Sequence, residues 1–346
     1  MRLDAANTWS ARYEVLRDGA VFAEIHAADQ SAEVQFVGSS ELKMSFRGRF
    51  YEYHRGIDFL TDRLRPVVTV NGRDYPCGVY VITTETEMRA EGLVTYEIEG
   101  YSLLELARRK KTESRVHLSA GVNYITAVVA LLSGCGLSDF ETVQTEYTLS
   151  ADREDWEIGT PVLQIVNELL EEINYRQAWV DLRGSVCLTP YEVPSVDAID
   201  HTYSEGEYSM IESGYIRTTD RYGKANVFRV VCDSPDLAEP MVAVAENNSD
   251  GSPFSIARMG RILYAENVDG TPSQEALQAR ADRLRDESMQ ITEEAEYYTA
   301  PVPEHNAHDV VGLAVGDLTG IYTETEWRLP MSPGASMYHK ARRVYA

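Results

Sequence analysis

The segment 156–191, which reads WEIGTPVLQIVNELLEEINYRQAWVDLRGSVCLTPY, constrains the fold more than any other part of the sequence. Apolar residues recur every three or four positions over 162–173, with glutamate, glutamine and asparagine between them. This spacing predicts a helix with one apolar face over 161–174. Thr160 is expected to cap the helix, and Pro161 is expected at its first position, where a missing N–H costs nothing.

A hairpin is predicted directly after this helix. Two short apolar runs, 178–180 and 185–188, flank a turn at 182–184 that contains a glycine. Runs of this kind on either side of a glycine turn are typical of paired strands. We expect the apolar face of the helix, including Leu169, to pack on the hairpin as the core of a small α/β unit.

Residues 1–105 are predicted to be all-β. Asp-Gly at 18–19 and Asn-Gly at 71–72 are dipeptides that favour two-residue hairpin turns. The predicted strands are 12–17, 20–26, 41–46, 66–70, 78–84 and 93–101. The second hairpin is expected to pair 66–70 with 78–84. Short strands with turns at this spacing indicate a barrel or a sandwich.

The rest of the chain is predicted to be an α/β region at 106–195 and a second β region at 196–346. A short helix at 102–109 leaves the first region, and Asn123 is expected to cap a helix at 122–132. A further helix at about 272–289 is inserted in the second β region. The strands predicted there are 215–219, 225–232, 241–245, 261–264, 310–313, 318–325 and 326–329, the first two paired across a turn at 221–224.

The charge of the chain excludes some functions. The formal net charge is −23, of which −2 lies in residues 1–115 and −21 in 116–346. Such a surface repels phosphates, so specific binding of DNA or RNA is not expected. One basic cluster interrupts this pattern and is either a solvated linker face or a contact with an acidic neighbour. It consists of Arg108, Arg109, Lys110, Lys111 and Arg115.

The sequence also argues against a membrane protein and a disulfide scaffold. It has no run of about 18 uninterrupted apolar residues and no signal-peptide pattern at its start. We therefore expect no membrane insertion, and assembly in the cytoplasm of a bacterial host. The four cysteines lie far apart and are expected to be buried or half-buried small apolar side chains rather than disulfide or zinc ligands. They are Cys77, Cys135, Cys187 and Cys232.

Two segments carry candidate chemistry, and for both a structural role is the preferred interpretation. The segment 304–309, Glu-His-Asn-Ala-His-Asp, holds two imidazoles three positions apart beside carboxylates, which is compatible with metal ligation but is more typical of a polar turn before a strand. The segment 154–157, Glu-Asp-Trp-Glu, could be a carboxylate pair beside an aromatic platform, as in sugar-cleaving sites, or a solvated loop anchored by Trp156. Common nucleophile, metalloprotease, phosphate-loop and dinucleotide motifs are absent from the sequence. No catalytic, cofactor-binding or metal-binding residue is therefore assigned.

Three motifs resemble those of phage tail hub and baseplate hub proteins. One is the helix and hairpin ending in Gly-x-x-x-x-x-Pro-Tyr at 184–191. The second is Asp-Arg-Leu-Arg-Pro at 62–66, followed by the Asn-Gly turn and Cys-Gly-Val-Tyr at 77–80. The third is NAHDVVGLAVGDL at 306–318, followed by Gly-Ile-Tyr and Trp-Arg-Leu-Pro at 327–330. The resemblance is greatest to hubs of Gram-positive phage tails, phage-tail-like bacteriocins and defective prophages, and the bases of secretion-system spikes share this fold.

The resemblance implies an α+β, mainly β chain in which two tail-tube-like β-barrels, at 1–105 and 196–346, are separated by the small α/β domain at 106–195. It implies a non-enzymatic structural hub in the tail tip of a virion or phage-like particle. A homotrimer would present six barrels to a sixfold tube and a threefold face to a spike. The implied partners are the tail tube or distal tail ring protein, the tape-measure protein and a spike or fibre protein, and no cofactor is implied.

Two other functions are compatible with the residues. The 21 tyrosines and 4 tryptophans could line a carbohydrate- or receptor-binding site, although most are spaced as core or interface residues. A peptidoglycan-degrading tail enzyme is the third possibility, for which no motif is present. Glycan binding by the isolated chain would favour the first alternative, and turnover of purified cell wall would favour the second.

Overall fold

A computed structural model describes residues 7–53, 56–206, 209–220, 224–233, 239–268, 270–290 and 293–344. Within these ranges the largest element is a 14-stranded sheet to which both the N-terminal and the C-terminal parts of the chain contribute. Two three-stranded sheets and the helices are added to it. The chain is therefore mainly β, as the sequence predicted.

The N-terminal strands are connected by tight hairpins. They are β1 (Trp9–Arg17), β2 (Ala20–Ile25), β3 (Glu33–Val37), β4 (Met44–Tyr51), β5 (Arg63–Val70), β6 (Arg73–Pro76), β7 (Tyr80–Ala90) and β8 (Leu93–Ser102). Both residues of the turns at 18–19, 71–72 and 91–92 have positive φ, which is the two-residue geometry that matches strand twist. The first two turns were predicted, whereas Glu91-Gly92 was not, because glutamate is not a usual residue at φ > 0.

The partner predicted for the second hairpin was wrong. β5 pairs with β6 across Asn71-Gly72, and its pairing with β7 is limited to Leu64–Tyr80. At Gly78, which has a φ of 100°, the chain turns away from β5. The N–H of Gly78 donates to the carbonyl of Leu182 in the α/β region. The strand predicted at 41–46 begins only at Met44, because Lys43 has a φ of 59° and interrupts the extended backbone.

The segment that follows β2, at one end of the sheet, meets β4 within the same N-terminal part. The chain leaving β2 bonds to the end of β4 through Ala28 N–Arg49 O at 2.8 Å and Tyr51 N–His26 O at 3.0 Å. The aromatic side chains between the strands are in mutual contact and form the centre of this core. They include Tyr13, Phe46, Phe50 and Tyr80.

The α/β region packs on one side of this sheet. Its elements are α1 (Glu105–Arg109), α2 (Tyr124–Ser133), β9 (Phe140–Thr142), α3 (Val162–Glu172), β10 (Trp179–Val180) and β11 (Val186–Leu188). The hairpin β10–β11 is confirmed, and β9 adds to it in parallel. The apolar face of α3 lies in a core shared with α2, the hairpin and residues of the N-terminal region such as Leu42 and Val81.

The two predicted helix caps had different outcomes. Asn123 caps α2, where its side chain accepts a hydrogen bond from Thr126 N at 3.2 Å. The cap predicted for α3 was wrong by one residue, because Pro161 is the N-cap and Thr160 instead donates its hydroxyl to Glu157 O at 2.8 Å. The first N–H of α3, from Val162, is satisfied by Lys110 O at 2.9 Å, so the neighbouring chain replaces a side-chain cap.

The C-terminal strands complete the large sheet. They are β12 (His201–Ser204), β13 (Ile211–Thr219), β17 (Glu293–Thr299), β18 (Val310–Val315), β19 (Leu318–Pro330) and β20 (Met337–Arg343). Gly316-Asp317, within the third motif, forms the turn that joins β18 to β19. β19 is one 13-residue strand where two were predicted, and its last five residues pair with β3. The two β regions, which the α/β region separates in sequence, therefore adjoin in space.

A compact unit is inserted between β13 and β17. It contains β14 (Val227–Cys232), β15 (Met241–Glu246), α4 (Ile256–Met259), β16 (Leu263–Val268) and α5 (Gln274–Gln290). The hairpin predicted between 215–219 and 225–232 does not form, because β13 pairs with β17 and β14 pairs with β15 and β16. Residues 221–223 of its predicted turn lie outside the described residues. The predicted helix is confirmed as α5, which packs on one face of this small sheet.

Two predictions about the whole chain can be compared with the structure. Across the described residues, no helix combines the length and apolar character needed to cross a bilayer. All four cysteines are free thiols, with Cys77, Cys187 and Cys232 buried and Cys135 half-buried. This agrees with the prediction that they are small apolar side chains.

Candidate functional site

The ends of the large sheet expose apolar residues on unpaired strand edges. β2 is one end and β13 the other. Val21 on β2 is 55% exposed and Ile216 on β13 is 61% exposed, although β-branched residues usually face a core. Exposed edges that carry apolar side chains are places where another chain can add a strand.

The inserted unit has a second exposed apolar surface, on the face of its sheet opposite α5. Cross-strand pairing aligns Val244 of β15 with Arg229 of β14 and Ala265 of β16. Val242, Val244 and Leu263 are all exposed on this face. This face is less apolar than a core because Arg229 lies at its centre.

The third feature is a buried cluster of three histidines and two carboxylates in the C-terminal β region. β12 supplies His201, β19 supplies Glu324 and β20 supplies His339, whereas His305 and Asp309 come from the loop before β18. His305, Glu324 and His339 are fully buried, and the other two are largely buried.

Glu324 is the centre of one half of this cluster. Its Oε2 lies 2.7 Å from His305 Nδ1, and its Oε1 lies 2.6 Å from His339 Nδ1. The outer nitrogens are also bonded, His305 Nε2 to the Tyr203 hydroxyl and His339 Nε2 to Thr299 Oγ1 at 2.8 Å. Both oxygens of Glu324 and all four nitrogens of His305 and His339 therefore have a partner, as buried polar groups usually do.

Asp309 is the centre of the other half. Its Oδ2 lies 3.1 Å from His201 Nε2 and 3.6 Å from His305 Nδ1, and it accepts a hydrogen bond from Asn306 N at 2.8 Å. The rings of His201 and His305 stack with centroids 3.9 Å apart. His305 thus belongs to both halves.

Burial and charge shift the pKa values of these groups in opposite directions. Burial acts to raise the pKa of Glu324, but the charges and hydrogen bonds of His305 and His339 outweigh it and lower that pKa to about 2. Burial raises the pKa of Asp309 and lowers that of His305. Burial also acts to lower the pKa of His201, but the hydrogen bond to Asp309 raises it overall.

The structure separates the two imidazoles of the 304–309 segment. His305 and Asp309 enter the cluster, whereas His308 packs against Phe36 and Trp179, with ring centroids 5.6 and 6.0 Å away. The other three members of the cluster were not predicted. Their signal in the sequence was weak: in β20, His339 occupies an inward position between buried Met337 and Ala341, where an apolar residue is usual.

The 154–157 segment does not bring two carboxylates to one site. Trp156 is buried, and its Nε1 donates to Glu168 Oε2 at 2.6 Å. Glu154 lies 2.8 Å from His117 Nδ1, and Asp155 pairs with Arg153. The carboxylates therefore point to different partners around a core-anchoring tryptophan.

The basic cluster at 108–115 is exposed along its whole length. Arg108 Nε lies 2.7 Å from Glu105 Oε2 on the same short helix, and Lys110 donates to the carbonyl of Gly134. Both contacts lie within the α/β region, and the side chains are otherwise exposed, which fits a solvated face of the linker.

Solved structures share this fold over nearly the whole chain. A tail protein from Neisseria meningitidis MC58 superposes with a TM-score of 0.68 at 12% identity, over 96% of this chain and 97% of that one. Prophage tail protein gp18 from Listeria monocytogenes EGD-e gives 0.61 at 10% identity, over 96% and 94%. The E. coli c3393 protein, a component of the type VI secretion system similar to T4 tail proteins gp27 and gp5, gives 0.55 at 10% identity, over 99% and 76%.

No protein-family model and no curated protein matches this sequence. At 10–12% identity the superpositions establish the fold alone, and they agree with the resemblance expected from the motifs at 62–66, 184–191 and 306–318. The chain has the fold of phage and prophage tail proteins that is also found in a type VI secretion component.

Proposed function

We propose that the chain is a structural hub at the distal end of a phage or phage-like tail. The observation that carries this proposal is the superposition on a tail protein over 96% of one chain and 97% of the other, because the resemblance involves the whole architecture rather than one common motif. A structural role also fits the candidate catalytic segment at 154–157, whose carboxylates are held apart in separate contacts.

The hub is proposed to be a homotrimer that adapts a sixfold tube to a threefold tip. Each chain contributes two β regions, joined through β3 and β19, so three chains offer six such regions to a sixfold ring. Closure of the ring would cover the exposed edges of β2 and β13. An obligate interface of this kind should bury on the order of 2,000 Å² or more.

The proposed neighbours follow from this position. The tail tube or distal ring protein would lie above the ring, the tape-measure protein inside it, and a spike or fibre protein below it. The negative charge of residues 116–346 would keep DNA from adhering to the lumen wall during genome ejection. Charge-reversed lumen variants that eject DNA at the normal rate would contradict this last point.

Light scattering of the purified 38.8 kDa chain at several concentrations tests the proposal. We expect a mass three times that of the chain, with binding to the tail-tube and spike proteins encoded nearby. A strict monomer, in the presence of those proteins as well as alone, would overturn it. In that event, glycan binding and cell-wall digestion would be assayed next, since they test the carbohydrate-binding and enzymatic alternatives.

A further inference from the structure

The buried cluster around His305 combines ligand types that bind divalent transition metals. Imidazole nitrogens and carboxylate oxygens suit zinc and its neighbours. Two overlapping triads, His201/His305/Asp309 and His305/Glu324/His339, each hold their candidate ligand atoms within 4.8 Å of one another. We propose that this cluster binds one zinc-class divalent ion through His201 Nε2, His305 Nδ1, Asp309 Oδ2 and Glu324 Oε2.

Within the first triad, the spacing of the candidate ligand atoms is close to that of a coordination shell. With metal–ligand bonds of about 2.1 Å, neighbouring ligands of a tetrahedral zinc ion lie about 3.4 Å apart. His201 Nε2 and His305 Nδ1 lie 3.1 and 3.6 Å from Asp309 Oδ2. Glu324 belongs to the other triad, so it becomes the fourth ligand only if its carboxylate turns towards His201 and Asp309. Its 2.7 Å contact with His305 Nδ1 must also open by about 0.7 Å.

The charge of the cluster favours a cation. Asp309 and Glu324 place two carboxylates in a buried environment, where unpaired charge is strongly destabilising. In the part of the chain that the structure describes, the ion pairs of both residues are with histidines, and neither pairs with a lysine or arginine. One divalent ion would neutralise both carboxylates while leaving the imidazoles uncharged.

A second layer of hydrogen bonds is already in place around the proposed ligands. His339 Nδ1 lies 2.6 Å from the other oxygen of Glu324, and Asn306 N donates to Asp309. Once the ion occupies His305 Nδ1, the Tyr203 hydroxyl can accept a hydrogen bond from His305 Nε2. Outer partners of this kind orient metal ligands and fix their tautomers. His339 is thus a positioning residue.

The site also has a route for the ion. The side chains of His201 and Asp309 are 18% and 11% exposed, whereas those of His305, Glu324 and His339 are fully buried. A bound ion would connect three elements, namely β12, the loop before β18, and β19. Its role would be to stabilise the C-terminal β region. This inference does not depend on the proposed trimer.

Metal binding is tested on the tag-free, full-length chain after dialysis against a chelator. Co²⁺ is titrated first, because four-coordinate cobalt absorbs visibly, and Zn²⁺ is then added as a competitor. We expect one equivalent of cobalt per chain, displacement by zinc, and a melting temperature a few degrees higher with zinc present. Failure of the wild-type chain to bind either ion at about 10 µM would overturn the proposal, since structural zinc sites bind far more tightly than this.

Two variants and a matched control locate the site. Asp309→Asn conserves shape and His201→Ala removes the most exposed ligand, so both should retain the far-UV circular dichroism of the wild type while losing at least tenfold in cobalt affinity. His117→Ala removes a histidine that contacts Glu154 at 2.8 Å on the surface, and should bind like the wild type. Wild-type affinity in both cluster variants would show that any bound ion lies elsewhere.

Discussion

Lys43 shows how a single buried residue connects two regions of this chain. Its Nζ donates to Gly38 O at 2.7 Å and to Gln177 Oε1 at 3.0 Å, so it joins the N-terminal sheet to the α/β region. The residue is buried and forms no ion pair within the described ranges. Burial lowers the pKa of Lys43 from 10.5 to about 8, and the charge of Arg283 acts in the same direction against weaker opposing effects of Glu41 and Glu287.

This shift predicts a pH dependence of stability that Lys43→Met should remove. Below pH 8 the lysine is protonated in both states, and the folded state bears the full cost of the buried charge. Between pH 8 and 10.5 the folded state has released a proton that the unfolded state retains, so stability rises with pH, by up to about 3 kcal/mol. Urea unfolding at pH 8 and pH 10 measures the difference between variant and wild type.

The matched control is Lys111→Met, which removes an exposed lysine. It should keep the wild-type dependence on pH. If the stability of Lys43→Met also rises with pH, as that of the wild type does, another group is responsible for the effect.

Gly184 shows what residue-level reasoning could and could not provide. This residue was correctly predicted to lie in the turn between β10 and β11, and its φ of 102° explains why the turn contains glycine. A Cβ there would also lie 2.8 Å from Val79 Cγ2, because the turn packs on the N-terminal region. That second reason depends on a contact between residues about a hundred positions apart, which no local pattern encodes.

At the scale of elements, α3 is the centre of the α/β core. Leu163, Ile165, Val166, Leu169 and Leu170 are fully buried. Leu169→Asp should lower the free energy of unfolding by several kcal/mol, because it replaces packing with an unpaired buried charge. Thermal or urea unfolding of the variant measures this loss.

Gln164→Lys is the control for this variant. It places a new charge on the exposed face of the same helix, beside the Glu168 carboxylate that Gln164 contacts at 2.8 Å, so its stability should stay within about 0.5 kcal/mol of the wild type. An unchanged melting temperature in Leu169→Asp would show that α3 is not part of the core.

Local patterns predicted most elements but not their long-range partners. The helices α2, α3 and α5 and the turns at 18–19 and 71–72 follow from periodicity and turn chemistry, which act over a few residues. The pairing of β3 with β19 joins residues about 290 positions apart, and nothing local specifies it. The separate sheet of the inserted unit was missed for the same reason, since adjacent strands were assumed to pair.

The buried cluster follows the same rule. His305 and Asp309 belong to the 304–309 segment, which was singled out because it has two imidazoles three positions apart beside carboxylates. His201, Glu324 and His339 reach the same point from three strands, and the sheet alone brings them together. The sequence therefore indicated two of the five residues of the cluster but assigned none of them to a metal.

At the scale of the molecule, the open question is how the two free ends of the large sheet are covered. β2 and β13 are far apart along the sheet, and each carries an exposed β-branched residue, Val21 and Ile216. In a closed ring of identical chains, one end of the sheet in each chain can meet the other end in the next chain, which covers both of these edges. The proposed trimer therefore places both residues in the contact between subunits.

Lysine on an edge strand opposes strand addition, so Val21→Lys and Ile216→Lys should each shift the mass in light scattering from trimer towards monomer. Neither side chain is in the core, so the melting temperature of the dissociated chain should change little. Ile158→Lys, at an exposed loop position of the α/β region, adds the same charge away from both edges and should remain trimeric. A trimer that survives both edge substitutions would mean that the subunits meet through another surface. The next surface to test is the exposed face of the inserted sheet, which carries Val244.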